Sequence, residues 1–436
     1  MPDQLKHIQL RGPLARVLML LPLGLALTGA WFSVRWYIAD TIAEYVNADN
    51  RGLEIARLAA DLSPNDPLAH WRIGDIESST LPPEQLGQEI KEYQLAVSLS
   101  PNDYRFWLAL GRALEQSGDV QQGELAMRRA VGLAPSYSYP RWYLGNLLLR
   151  SGHDADAFAE LRRASEADPK LRQQVFTLAW EVHAKNFEAL KSAIGPAAES
   201  RAEFARYLLD RTAIDGGLQM WNGLNAAEKK ENRQTGESIL NSLVLAKRFP
   251  AALAVWNDLA LSDWSRGAVG QLLNGGFEQD IGPVSASVFG WQVKSAPQAQ
   301  IGLDASNQQS NHHGGARSLR IIFQARSKPD FEVAQLVIVE PGRQYDLEGF
   351  VKTNKLESAG TPVVEIVDFS DGSVLASSLP APAGDNDWQP LVITFKAGAK
   401  TEAIRFRVSR APCGGNAVCP IFGTLWYDDF NLKLRG

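Results

Sequence analysis

The chain is poor in the residues that carry chemistry. Only two cysteines occur among 436 residues, Cys413 and Cys419, which leaves out a zinc cluster and a CxxC redox pair. Positive charge is not in excess: 44 Lys and Arg stand against 49 Asp and Glu, for a formal net charge of −5 and a pI near 5.8. The basic residues are scattered, so no basic stripe is available to release counterions, and no nucleic-acid partner is expected. A nucleophile elbow, HExxH, a P-loop and a Rossmann fingerprint are all missing. Acid pairs such as Asp428–Asp429 and Glu365 with Asp368 read as structural groups rather than a glycosidase dyad. The chain is therefore read as non-enzymatic, without an organic cofactor.

What is present is length, apolar content of 45% and internal repetition, enough for two or three domains. Pro101, Pro135 and Pro169 are spaced 34 residues apart, and Ala96, Ala130 and Ala164 each stand five places before one of them. Gly111 and Gly145 share a second register. Small residues let two helices of a hairpin approach, and proline stops the second helix and forces the turn. In this pattern Trp107, Leu110, Gly111, Ala130 and Pro135, then Leu144, Gly145, Ala157, Ala164 and Pro169, resemble the tetratricopeptide repeat. SPND at 63–66 echoes SPND at 100–103 in a looser copy lengthened by the SSTLPPEQ loop. The clearest repeats cover 64–169 within a helical solenoid expected over 41–268.

Ahead of the solenoid, residues 1–16 carry Lys6, Arg11 and Arg16 with one acid, Asp3, and Val17 to Val34 follows without a charge. A helix of that length reaches roughly 27 Å, close to a hydrocarbon core of about 30 Å. The reading is a transmembrane signal-anchor over 17–38, with Trp31, Trp36 and Tyr37 at the outer interface and 1–16 in the cytoplasm. Two alternatives stand beside it: a cleaved signal peptide ending near Ala30, which would make the protein secreted, and a buried soluble helix. In the first two readings the bulk of the chain is outside the cytoplasm, as in a single-pass protein of the bacterial inner membrane that faces the periplasm.

After Pro169 the 34-residue register fades while helical periodicity persists, which reads as degenerate repeats, with 225–237 (NAAEKKENRQTGE) as a polar turn. Near Gly270 the period changes to two. RSLRIIFQ, FEVAQLVIVE, QYDLEGFVKT, PVVEIVDF, WQPLVITFKA, AIRFRVSR and TLWYDDFNLKL are short, alternating and separated by turn residues. They predict an antiparallel β-sandwich over 270–436. The fold class is thus multidomain α + β.

The ordered set Leu273-Asn274-Gly275-Gly276-Phe277-Glu278, Phe289-Gly290-Trp291, Gly315 to Leu319, Gln335, Pro341-Gly342, Tyr345, Trp388, Phe395 and Trp426 to Phe430 resembles jelly-roll carbohydrate-binding modules of the family 4 and 9 type. The resemblance implies a structural calcium where Glu278, at the start of the first strand, meets Asp428 and Asp429 in the last; hard carboxylate oxygens suit that ion. The alternative pairs Glu278 with a Lys or Arg and leaves the aspartates solvated. Trp291, Trp388 and Trp426 fit either sugar stacking or the core, with the core favoured. A glycan groove would draw on Phe331, Gln335, Tyr345, Arg405 and Arg407. His312-His313 reads as a solvated loop, with a metal or sugar contact as the alternative. Cys413 and Cys419 bracket five residues, a loop that a disulfide can close, against two free thiols.

The resemblances imply a membrane-anchored scaffold whose solenoid holds a protein or peptide and whose sandwich engages a polysaccharide, in the synthesis or export of surface polysaccharide. The alternative is an assembly platform whose jelly roll is a docking domain that binds no sugar.

Overall fold

The computed structural model describes residues 12–47, 51–80, 87–184, 186–261, 265–283, 288–306, 308–327, 329–413 and 419–435. The chain divides into two compact units, Met1–Gly195 and Pro196–Gly436.

The first unit is a run of helices: α1 Pro13–Tyr45, α2 Gly52–Leu62, α3 Pro67–Thr80, α4 Gln88–Leu99, α5 Tyr104–Gln116, α6 Val120–Leu133, α7 Ser138–Arg150, α8 Asp154–Ala167, α9 Arg172–His183 and α10 Phe187–Ile194. The 34-residue period becomes the hairpins α5–α6 and α7–α8. Asp103 and Asp119 cap α5 and α6 by accepting from Arg105 N and Gln122 N, satisfying donors that a helix start leaves open. A Cβ on Gly111 would stand 2.7 Å from Met127 Cγ and 3.0 Å from Gly123 O, and one on Gly145 would stand 2.7 Å from Leu161 Cγ. Glycine is thus needed at both positions by the closeness of the paired helices. Trp107 Nε1 donates to Pro101 O at 2.9 Å and Arg141 Nε to Pro135 O at 3.0 Å, so successive turns are tied in the same way by different side chains.

At the N-terminus the structure departs from the expectation. Among the described residues no helix is long and apolar enough to cross a membrane. The segment 17–38 is not an element of its own, because α1 continues unbroken to Tyr45. Arg35 ends its uncharged run and donates to Asp61 O at 3.3 Å. Ala39 and Ala43, farther along the same helix, are buried with Ala59 and Ala69. The solenoid expected to start at Thr41 therefore begins inside α1. Residues 1–11 of the expected cytoplasmic segment lie outside the described residues.

The second unit joins five helices to the sandwich: α11 Ala198–Asp210, α12 Ile214–Asn222, α13 Ala226–Glu231, α14 Arg233–Leu245 and α15 Phe249–Leu259. The helices end with α15 at Leu259 and the described strands begin at Gly282, on either side of the boundary expected at 268–270, while α11–α15 share a compact unit with the strands. The reason is packing: Phe249 meets Phe369 edge-on at 5.5 Å, Trp256 meets Phe289 at 5.9 Å, and Lys247 Nζ donates to Ser370 O at 2.7 Å. The stretch 225–237 is helical rather than a turn. Asn225 and Glu228 form a reciprocal capping box that starts α13, a spacing that favours a helix start.

The strands are β1 Gly282–Pro283, β2 Gln292–Lys294, β3 Ala299–Asp304, β4 Ser318–Ala325, β5 Glu332–Ile338, β6 Gln344–Glu357, β7 Pro362–Asp368, β8 Val374–Ser377, β9 Gly384–Lys396, β10 Ala403–Arg410 and β11 Ile421–Leu434. They form a six-stranded sheet, β1-β2-β5-β10-β7-β8, and a five-stranded sheet, β3-β4-β11-β6-β9. All pairings are antiparallel except β1 with β2. Between the sheets Phe277, Trp291, Phe406 and Phe430 form one aromatic cluster, with ring centroids 4.9 Å apart for Phe277–Trp291 and 4.8 Å for Phe406–Phe430. Cys413 and Cys419 are joined by a disulfide, with Cα atoms 5.9 Å apart.

Candidate functional site

Two surfaces, one on each unit, gather groups suited to recognition. On the first unit a cleft of about 630 Å³ is lined by α3, α4, α5 and α7. Helical spacing makes it: Tyr104, Leu108 and Arg112 are four residues apart on α5, and Tyr139 and Tyr143 are four apart on α7, so each set lines one face. Tyr104 and Tyr137 pack with ring centroids 5.1 Å apart, and the Arg112 guanidinium lies 4.6 Å from the centre of the Tyr143 ring. Tyr137 and Tyr139 remain 57% and 64% exposed. Burial pushes the Tyr93 hydroxyl up to about 12. Sequence reasoning left the concave side chains of the repeats unassigned; the signal was the concentration of tyrosine in PSYSYPRWY.

On the sandwich the residues expected to line a glycan groove divide. Phe331, Gln335 and Tyr345 face the core. Phe331 packs edge-on against Phe323 at 5.2 Å, and Tyr345 stacks on Phe395 at 5.6 Å while its hydroxyl accepts from Glu340 N. Gln335 spends its amide on the backbone of Leu273, accepting from N at 2.8 Å and donating to O at 2.9 Å. The three are buried because they share strand parity with Val333, Val337 and Leu347, which belong to the core. Arg405 and Arg407 alternate with core residues on β10 and point the other way, where they pair with Glu332 and Glu365 at 2.7 and 2.8 Å.

The tryptophans divide as well. Trp291 is in the core, and its Nε1 donates to Asn274 O. Trp426 is nearly buried on the outer side of the five-stranded sheet, donating to Asp304 Oδ2 at 2.9 Å. Burial alone would raise the Asp304 carboxyl, but bonds from Ser306 and Trp426 and the charge of Arg320 outweigh it and hold it at about 2. Trp388 is half-buried on the same outer face. Its Nε1 donates to Ser310 O at 3.1 Å. Beside it the His313 ring stacks on Phe350 with centroids 3.5 Å apart and stands edge-on to Trp388 at 5.8 Å. The expected solvated histidine loop is instead folded onto the sheet, where His312 Nε2 lies 2.8 Å from Ser306 O. Phe350, with outward parity on β6, is the ring that sequence reasoning missed.

The carboxylates expected at a calcium site accept hydrogen bonds from nearby backbone N–H groups. Glu278 lies in the loop before β1, and its Oε1 accepts from Ala316 N and Arg317 N at 2.9 and 3.1 Å. Asp428 Oδ2 accepts from His313 N and Gly314 N, and its Oδ1 from Asp429 N. Burial pushes Asp428 up to about 6. Asp429, at a bulge with φ of 49°, lies with Oδ2 2.7 Å from His313 Nδ1. Backbone N–H groups thus occupy carboxylate lone pairs, and among the described residues no three metal-ligating side chains are grouped to hold an ion.

No family model and no curated protein matches the sequence. Two kinds of solved structure are similar in part. TmCBM61, solved in complex with β-1,4-galactotriose, is 23% identical over 38% of this chain and 100% of its own, with a TM-score of 0.28. A structure described as "CBM4 structure and function" is 14% identical over 38% of this chain and 99% of its own, at 0.29. PilF of Pseudomonas aeruginosa is 15% identical over 47% of this chain and 98% of its own, at 0.31. The structure neighbours thus include tetratricopeptide-repeat proteins and carbohydrate-binding modules.

Proposed function

We propose that the protein is a non-catalytic scaffold that holds a protein segment on its helical unit and a polysaccharide on its sandwich. The observation that carries the sugar half is the ring set His313, Phe350 and Trp388 on the outer face of the five-stranded sheet. Aromatic faces present flat apolar surface, which suits the apolar face of a pyranose, and Asp429 and the Lys352–Asp387 pair supply polar groups around it. The test is binding of the full chain to an array of polysaccharides, repeated with Trp388→Ala. Binding is expected to fall at least tenfold in the variant with the thermal midpoint kept within about 2 °C; silence of the parent chain across the array would reject the sugar half.

The second reading, a docking sandwich without a sugar ligand, draws on the outer face of the six-stranded sheet, where Arg405 and Arg407 are tied to acids. Work outside the cytoplasm, in the assembly or export of surface polysaccharide, is part of the proposal. The disulfide supports it, since such bonds persist in oxidising compartments. Exposed Leu20, Leu25, Leu27, Trp31 and Phe32 of α1 support association with a membrane.

A structural calcium at Glu278, Asp428 and Asp429 is also part of the proposal, favoured by the three carboxylates and by the buried Asp428, whose charge a hard cation would offset. A melt with and without chelator tests it: a midpoint lowered by several degrees is expected, and an unchanged one would leave the N–H groups as the carboxylates' sole partners.

A further inference from the structure

The cleft on the first unit carries more information than its depth. Its walls are tyrosines and Trp71, and its charged groups are Asp75, Arg105 and Arg112. Two of the three are already neutralised: Asp75 pairs with Arg72 at 3.2 Å, and Arg105 with Asp103 at 2.6 Å. Arg112 is exposed, rests on the Tyr143 ring, and has no carboxylate partner among the described residues. The cleft therefore presents one uncompensated guanidinium on an aromatic floor.

An extended segment in the polyproline II conformation makes no internal hydrogen bonds, so its carbonyls accept from outside. Tyrosine suits that occupant: the ring packs on the pyrrolidine and the hydroxyl donates to the carbonyl, as in aromatic-lined grooves that take proline-rich segments.

We infer that this cleft binds an extended, proline-containing protein segment bearing a carboxylate that pairs with Arg112. The inference rests on the scaffold reading for the helical unit and specifies its partner. Proline lowers the ordering cost of the bound segment, and the guanidinium selects acidic over basic sequences.

The experiment uses the full chain and three fluorescein-labelled eight-residue peptides, read by anisotropy. One alternates proline and alanine around a central glutamate, the second replaces that glutamate with lysine, and the third is an alanine-based helix former with one glutamate. The first is expected to bind at least tenfold more tightly than either of the others. Arg112→Gln is expected to remove the preference for glutamate over lysine, and Tyr139→Ala, at an exposed position, to weaken the first peptide at least fivefold with the melting temperature unchanged. Preference for the helix former that is lost in Tyr139→Ala would overturn the inference while leaving the cleft a protein-binding surface. Absence of binding by all three would overturn the inference together with the protein-binding reading of the cleft. An unchanged glutamate preference in Arg112→Gln would overturn the role of the guanidinium.

Discussion

The two units hold their interiors by opposite means. In the helical unit glycines mark the closest approach of paired helices, and each helix packs mainly on its neighbours in the chain: α5 on α6 and α7 on α8 within a hairpin, α6 on α7 between hairpins. In the sandwich the centre is built of large rings brought from both ends of its sequence, Phe277 and Trp291 against Phe406 and Phe430. Damage to the first should stay local, because a solenoid is a sum of neighbouring contacts. Damage to the second should be felt throughout.

That contrast can be broken most sharply at Trp291. Truncation to alanine is expected to cost about 3–5 kcal/mol and to lower the unfolding midpoint of the sandwich, seen in near-ultraviolet circular dichroism, while the larger part of the helical signal at 222 nm, which comes from α1–α10, melts as before. Loss of both signals together would show that the units unfold as one.

Acid offers the next largest effect. Asp304 titrates at about 2 in the folded chain against about 3.9 in an unfolded one, a difference worth roughly 2.5 kcal/mol. Because the folded value is the lower, this stabilisation is complete above about pH 4 and disappears as the pH falls towards 2. Urea unfolding of the sandwich at pH 5 and at pH 2.5 is expected to show the difference as a loss on acidification that the parent chain suffers and Asp304→Asn does not; Asp428, pushed up to about 6 by burial, gains stability over the same range in both proteins and cancels from that comparison. The smallest effect is expected at Gly111→Val, where the added carbons meet Met127 and the carbonyl of Gly123. Overpacking there costs about 1–3 kcal/mol, and hydrogen exchange should rise in α5 and α6 while α8 and the strands stay protected.

The same contrast explains what the sequence disclosed. The solenoid period is carried by residues that touch their near neighbours, so Gly111, Gly145 and the prolines were legible one hairpin at a time. The long strands were legible by alternation, and β10 spans the residues 403–410 read for it. Short β1, β2, β3 and β8 gave too few residues to show a period. The site was less legible because which face of a sheet is covered depends on partners distant in sequence. Strand parity did carry part of the answer: Tyr345 alternates in step with Leu347 and Val351, which are buried, and Phe350 with Lys352, which are less so. Helices α11–α15 gave no sign of belonging with the strands, since an amphipathic face does not say what will cover it.

The docking of α15 against the sandwich has a practical side. A shortened protein beginning at residue 270, the natural place to cut by sequence, would leave behind the ring that Phe249 lends to Phe369 and the one that Trp256 lends to Phe289. Such a fragment would show water two newly bared aromatics and would be prone to clump. One that starts at Pro196 takes its own cover along.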